Sequence, residues 1–169
     1  QPNPQRLSDG WEFYKGDLGG VWETLRSDKL SGGLPIWQEV TVPHCYNAFD
    51  SVDPDTAYYQ GPAWYRTQLK INNPFAGGRT LLHFEGAGQK TDIYIDTQKI
   101  ASHKNAYSAF TVDITDAVNA YMQTAPFKKQ SPDRLVPPGL VPLAVRCDNS
   151  RDLESIPSDL SDFNVYGGL

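Results

Sequence analysis

At 169 residues, 39% hydrophobic and 12% aromatic, the chain has the make-up of one ordinary globular domain, long enough to bury a core without staples. Its 15 Lys and Arg against 20 Asp and Glu give a net charge of −5 with no basic block, which argues against a nucleic-acid partner, since phosphate-backbone binding needs a basic surface. No apolar run approaches the roughly 20 residues of a membrane-spanning helix, so no membrane partner is expected.

In chain order, Gln1-Pro2-Asn3-Pro4-Gln5 is a polar lead of the kind a mature exported protein or a trimmed chain shows, and an exported, periplasmic or extracellular setting is the expectation. Glu39 to Val42 reads as a short strand. Trp64 to Ile71 is a longer one, with Tyr65, Thr67, Leu69 and Ile71 sharing a face and Asn72-Asn73-Pro74 ending it. Thr80–Glu85, Asp92–Asp96 and Phe110–Ile114 follow, punctuated by Gly, Pro and Asn. Thr115 or Asp116 can then cap about two helical turns through Ala117, Val118 and Tyr121. Gln123 to Val141, broken by Pro126, Pro132, Pro137 and Pro138, reads as a long surface loop before a last strand, Leu143–Cys147. Many short strands with one or two short helical turns predict an all-β fold, a two-sheet β-sandwich of jelly-roll type. An immunoglobulin sandwich competes on pattern alone, but Cys147 has no partner cysteine at that fold's spacing. The close, Val165-Tyr166-Gly167-Gly168-Leu169, reads as a turn into a strand whose continuation is missing, so residues 1–169 are expected to be one domain of a larger protein.

Several side chains could carry chemistry. Cys45 and Cys147 lie about a hundred residues apart and read as two small buried hydrophobes, with a disulfide as the alternative. His44, between Pro43 and a turn, suits a structural hydrogen bond. Asp50, Asp53 and Asp55 lack the glycine and terminal glutamate of a calcium loop and read as a solvated acidic loop, so no metal is expected. Tyr58, Tyr59, Trp64 and Tyr65 crowd one hairpin approach, where aromatic faces suit the C–H face of a sugar ring. Alternation assigns Trp64 and Tyr65 to core packing and leaves Tyr59 and Gln60 on a loop tip ahead of Gly61-Pro62. Asp162 and Asn164 offer acceptors and an amide for adjacent hydroxyls. The five glutamates, Glu12, Glu23, Glu39, Glu85 and Glu154, fall in five separate segments, and nothing resembles the paired carboxylates, nucleophile elbow, zinc helix or phosphate loop of an enzyme.

Four segments, in this order, resemble the N-terminal sugar-binding domain of glycoside hydrolase family 2, the β-galactosidase, β-glucuronidase and β-mannosidase group. Val42-Pro43-His44-Cys45-Tyr46-Asn47 is similar to the family's Val-Pro-His-x-Trp-Asn, with Tyr46 in place of Trp. Tyr58 to Arg66 is similar to its Tyr-x-Gly-x-x-Trp-Tyr-Arg. Leu82 to Ala87, Asp92 to Asp96 and Asn105 to Thr115 resemble its strand, strand and Gly-Tyr-x-x-Phe-x-x-Asp-Ile-Thr series, with Asn105 and Ala106 where glycines are frequent. Leu143 to Asn149 resembles Leu-Ala-Val-Arg-Val-Asp-Asn, and Asp162 to Leu169 the approach to Gly-Ile-Tyr-Arg.

The resemblance implies a galactose-binding-domain-like jelly roll that is non-catalytic by itself. It implies that the domain supports a downstream barrel carrying both catalytic glutamates of a retaining, exo-acting, β-galactosidase-like O-glycosyl hydrolase. The implied partners are a terminal β-linked sugar and downstream domains of the same chain, with no cofactor. Asp162 matches, by its spacing from Gly168, an aspartate that reaches into the active site of the family's β-galactosidases, and Gln60 falls where those enzymes have an asparagine. Asp162, Asn164, Gln60 and Tyr59 are therefore the expected substrate-binding residues. The alternative is an independent carbohydrate-binding module, since one jelly roll can serve either role.

Overall fold

The computed structural model describes residues 4–27, 33–50, 55, 58–150 and 167–169. Eight strands form: β1 (Trp11–Lys15), β2 (Gln38–Val40), β3 (Pro62–Leu69), β4 (Leu81–Phe84), β5 (Lys90–Ile95), β6 (Gln98–Lys104), β7 (Phe110–Asp113) and β8 (Val141–Asp148). Six of them build one antiparallel sheet in the order β2-β1-β3-β8-β5-β6, and β4 pairs with β7 in a second layer. The predicted all-β sandwich is the fold observed. Two of its strands, β1 and β6, went unread in the sequence.

Period-two alternation decides which side chains fill the space between layers. Tyr65 and Leu69 from β3, Ile93 and Ile95 from β5, and Val141, Leu143, Val145 and Cys147 from β8 point inward. They meet Phe84 and Val112 of the second layer. Each such fully buried aliphatic side chain contributes about 1.5–3 kcal/mol. Val118 and Tyr121 of helix α1 (Thr115–Met122) close one side of this core.

Two local expectations need correction. The cover for the first amides of α1 comes from neither Thr115 nor Asp116 as cap: Asp113 Oδ1 accepts from Thr115 N at 3.0 Å, while Thr115 Oγ1 accepts from Thr80 N. The Thr115 hydroxyl and amide, both donating to Asp113, and the Arg79 guanidinium hold the Asp113 carboxyl down at about 2. The long loop after Gln123 contains a short helix, α2 (Ala125–Lys128), with Pro126 in its first turn, where a missing N–H costs nothing. It is also less free than a surface loop, because Ser27 N donates to Asp133 O and Leu135 N to Leu25 O.

Trp64 is buried as expected, at 3% exposure, but on the opposite face from Tyr65. It joins Leu18 and Ala144, with Tyr14, Val21, Trp37 and Tyr94 packed around them, in a second cluster on the outside of the six-stranded sheet.

Candidate functional site

At the end of the sandwich where β3 begins and β8 ends, residues 44–47 cross the inner face of the sheet. His44 packs on Phe13, ring centroids 4.8 Å apart, and its Nδ1 lies 2.8 Å from Tyr65 Oη, which is the structural bond expected of it. Burial lowers the His44 pKa, and desolvation drives the Tyr46 and Tyr65 hydroxyls far above the ordinary phenol range. The two tyrosine hydroxyls therefore stay protonated near neutrality.

The tripeptide Gly167–Leu169 lies beside this segment, with Gly168 and Cys45 in an isolated antiparallel bridge. His44 N donates to Leu169 O, Leu169 N to His44 O, and Tyr46 N to Gly167 O, at 2.7–3.0 Å, while Gly88 N donates to Gly168 O from the other side. Beneath it, Cys147 Sγ donates to Gly168 O. Only glycine fits here: a Cβ on Gly168 would stand 2.1 Å from the His44 carbonyl oxygen, and one on Gly167 would stand 2.0 Å from Tyr46 Oη.

Two fully buried asparagines then fix the loop that carries Gln60. Asn149 accepts from Gly61 N at 2.8 Å and donates to Tyr59 O at 2.9 Å. Asn47 accepts from Gly167 N at 2.9 Å. Tyr46 Oη donates to Gly61 O, and Asp50 accepts from Tyr59 N. The peptide groups on both sides of Gln60 are thus held from within, while the Gln60 side chain stays exposed.

Tyr59, expected on a loop tip, is half-buried. Its hydroxyl donates to Pro62 O at 2.6 Å, and Lys15 Nζ lies 4.8 Å from its ring centre. Asp162 and Asn164 lie outside the described residues, as does Asp53. Gln60 and Tyr59 are adjacent at this loop end, and Asp162 lies five positions before the anchored Gly167 in the chain. The roles of Asn47 and Asn149 escaped the sequence reading, although each closes one of the quoted segments. A polar residue that breaks off an apolar strand was the available signal.

The cysteine expectation is half corrected. Both thiols are free, and Cys147 is a buried hydrophobe whose pKa burial pushes up to about 12, but Cys45 is exposed. Its side chain leaves the bridge to Gly168 on the solvent side. Among the described residues no three His, Cys, Asp or Glu gather as metal ligands, and no helix is long and apolar enough to cross a membrane. A groove of about 1670 Å³ opens at the other end of the sandwich between residues 4–12 and β3 and β4, away from Gln60 and Tyr59. The loop end offers a frame for hydrogen-bonding side chains, its backbone held from within by Asn47, Asn149 and Asp50.

Residues 20–124 match the family model described as glycosyl hydrolases family 2, sugar binding domain. The apo structure of Bacteroides uniformis β-glucuronidase 3 is 52% identical over 99% of this chain, with a TM-score of 0.89, and 21% of that protein is covered. Parabacteroides merdae β-glucuronidase is 54% identical over 98% of this chain, with a TM-score of 0.87, and 20% of that protein is covered. A β-galactosidase of Thermoanaerobacter pseudethanolicus is 26% identical over 94% of this chain and 19% of its own length. The chain spans about a fifth or less of the relatives it matches.

Proposed function

The chain belongs to the sugar-binding domains of glycosyl hydrolases family 2, and we propose that it is the non-catalytic N-terminal domain of an exo-acting, retaining β-glycoside hydrolase. In this role it supports a downstream catalytic barrel and lends side chains to the terminal-sugar subsite. The observation that carries the reading is likeness to β-glucuronidases at 52–54% identity across nearly the whole chain. It also moves the substrate away from the β-galactoside first expected, since the β-galactosidase relative is 26% identical. A β-glucuronide is the substrate proposed.

Positioning is the contribution. Gln60 stands on a loop whose flanking peptides are bonded from within, and Asn47 ties the Gly167 backbone to the same frame. A side chain ordered before the sugar arrives loses less entropy on binding, and in the transition state it supplies orientation in place of proton transfer. Asp162 is proposed to contact the sugar hydroxyls, with Asn164 and Tyr59 beside it.

The test uses the complete parent protein on nitrophenyl β-D-glucuronide and β-D-galactoside, with Asp162→Ala and Gln60→Ala. The glucuronide should be turned over faster, and Asp162→Ala should lower kcat/KM by about 10- to 100-fold, the cost of one or two hydrogen bonds to a charged acceptor. An intact protein that hydrolyses no β-glycoside sinks the assignment. Unchanged kinetics in Asp162→Ala would leave the domain as support alone.

A further inference from the structure

Across the end of the sandwich that carries Gln60, five stretches lie side by side. The turn 44–49 bonds to the tripeptide 167–169, which accepts from Gly88 N on its other flank, and Gln89 O in turn accepts from Asn105 N at 2.8 Å. Residues 59–61 adjoin 44–49 through Tyr46 Oη, which donates to Gly61 O. None of the stretches 44–49, 59–61, 86–89, 105–109 and 167–169 holds an Asp, Glu, Lys or Arg, in a chain that is 21% charged. Charge returns at the border, with Lys15, Asp50, Glu85, Lys90, Lys104 and Asp148.

Inside that border two large side chains stand in solvent, Phe49 at 79% exposure and Tyr107 at 70%. Their segments are separated by three strand spacings, about 15 Å, so one surface can carry both. Asn105, at φ 121°, takes a backbone conformation uncommon for a residue with a side chain. Its Oδ1 accepts from Tyr107 N at 3.0 Å, and a Cβ on Gly86 would stand 3.2 Å from Ala106 O. The turn beneath Tyr107 is therefore ordered within the domain, which lowers the entropy cost of seating the ring in a partner. Phe75 and Leu81, exposed at the other end, differ in having charge beside them: Phe75 lies between Lys70 and Arg79 in the chain, and Leu81 pairs with Asp113.

We propose that this charge-free end is the face by which the domain docks on the remainder of its parent protein, with Phe49 and Tyr107 as the anchoring side chains. The inference rests on the part of the proposed function that makes the chain one domain of a longer protein, and it names the surface through which that domain acts. Two observations choose the occupant. The chain covers only 20–21% of the β-glucuronidases it resembles at 52–54% identity, so most of a protein of that kind remains to be packed against. Leu169, whose N–H and C=O both bond to His44, lies within the face, so polypeptide continuing from it starts there. An uncharged core with aromatic anchors inside a charged border is also the anatomy of an interface between proteins. Docking takes the exposed Gln60 out of open solvent, where its hydrogen bonds become electrostatically stronger.

Cys45 reports the docking directly, because its thiol is free and exposed in the domain. The intact parent protein is treated with N-ethylmaleimide, and labelling of Cys45 is followed by peptide mass spectrometry beside that of the thiol introduced by Phe75→Cys at the opposite end. Cys45 should react at least about tenfold more slowly than the introduced thiol, since a covered group reacts only when the interface opens. Phe49→Ser combined with Tyr107→Ser should raise the Cys45 rate about tenfold or more, as loss of two interface anchors does. The buried Cys147 should stay unlabelled throughout, which shows the domain itself to be folded; if the double substitution exposes it, the comparison in the unsubstituted anchors decides. A Cys45 that reacts as fast as the introduced thiol, or a rate unmoved by the double substitution with Cys147 still protected, would overturn the docking. Protection that vanishes on dilution, as the parent falls to smaller oligomers, would overturn it in favour of a second copy on this face. Labelling reads no turnover, so the two proposals fail separately: a parent that cleaves no β-glycoside yet protects Cys45 loses the proposed activity alone, and an active parent with an open Cys45 loses the docking alone.

Discussion

The loop end around Gln60 and the outer face around Arg146 are built from similar polar groups and spend them differently. At the loop end, Asn47, Asn149, Tyr46 and Asp50 place hydrogen bonds on the backbone of residues 59–61 and 167. On the outer face, Arg146 meets the Asp17 and Asp148 carboxylates only at ion-pair distance. Saturation from within makes a frame; looser pairing on a partly exposed face leaves charges that water can reach. A buried bond that is broken leaves a dry, unsatisfied group, whereas an exposed pair that is broken is rehydrated.

The sharpest way to break the frame is Gly168→Ala. Its Cβ would meet the backbone oxygen of His44, which cannot rotate away, and a loss of about 3 kcal/mol or more is expected. For a domain of this size that is a fall of roughly 6–12 °C in the unfolding midpoint, read by calorimetry. Asn149→Ala comes next. It strands Gly61 N and removes one donor to Tyr59 O, for about 2–3 kcal/mol, and amide exchange at Gly61 should accelerate while the centre of β3 stays protected.

A pH titration probes the same frame more gently. Burial holds the His44 pKa below its usual 6.5, so between the two values the unfolded chain binds more protons than the folded one, and stability rises with pH there. The contribution is fully present above 6.5 and is lost as pH falls through the folded-state pKa. Denaturant midpoints taken at falling pH should show that slope in the parent chain and not in His44→Gln. The smallest effect is expected on the open side: Arg146→Gln should change stability by less than about 1 kcal/mol. A loss comparable to that of Asn149→Ala would erase the contrast between the two regions.

What the chain made legible followed from alternation. The core strands β3, β5 and β8 put apolar residues on every second position, and both the sandwich and the inward face of Tyr65 could be read from that. Strand β6, Gln98–Lys104, lies at the sheet edge with no side chain fully buried, so it carries no such pattern. Strand β1 alternates too, with Trp11 and Phe13 inward, and Gly10 and Gly16 bound it, so the same rule covers it although it went unread. Burial of Trp64 was legible; its face required knowing that residues 17–25 fold over the outside of the sheet. The frame was the hardest to foresee. Asn47 and Asn149 are 102 positions apart in the chain, and they converge only because Tyr59 lies between them.

One consequence of the anchored tripeptide concerns tolerance to change. Asn149 at one end and Gly167 at the other are both fixed to the frame around Tyr59, so the stretch 150–166 between them starts and finishes at the same edge of the domain. Lengthening a chain whose ends are already held together costs only about 0.6 kcal/mol per doubling. Changes of length or sequence between positions 150 and 167 are therefore expected to leave the sandwich folding as before.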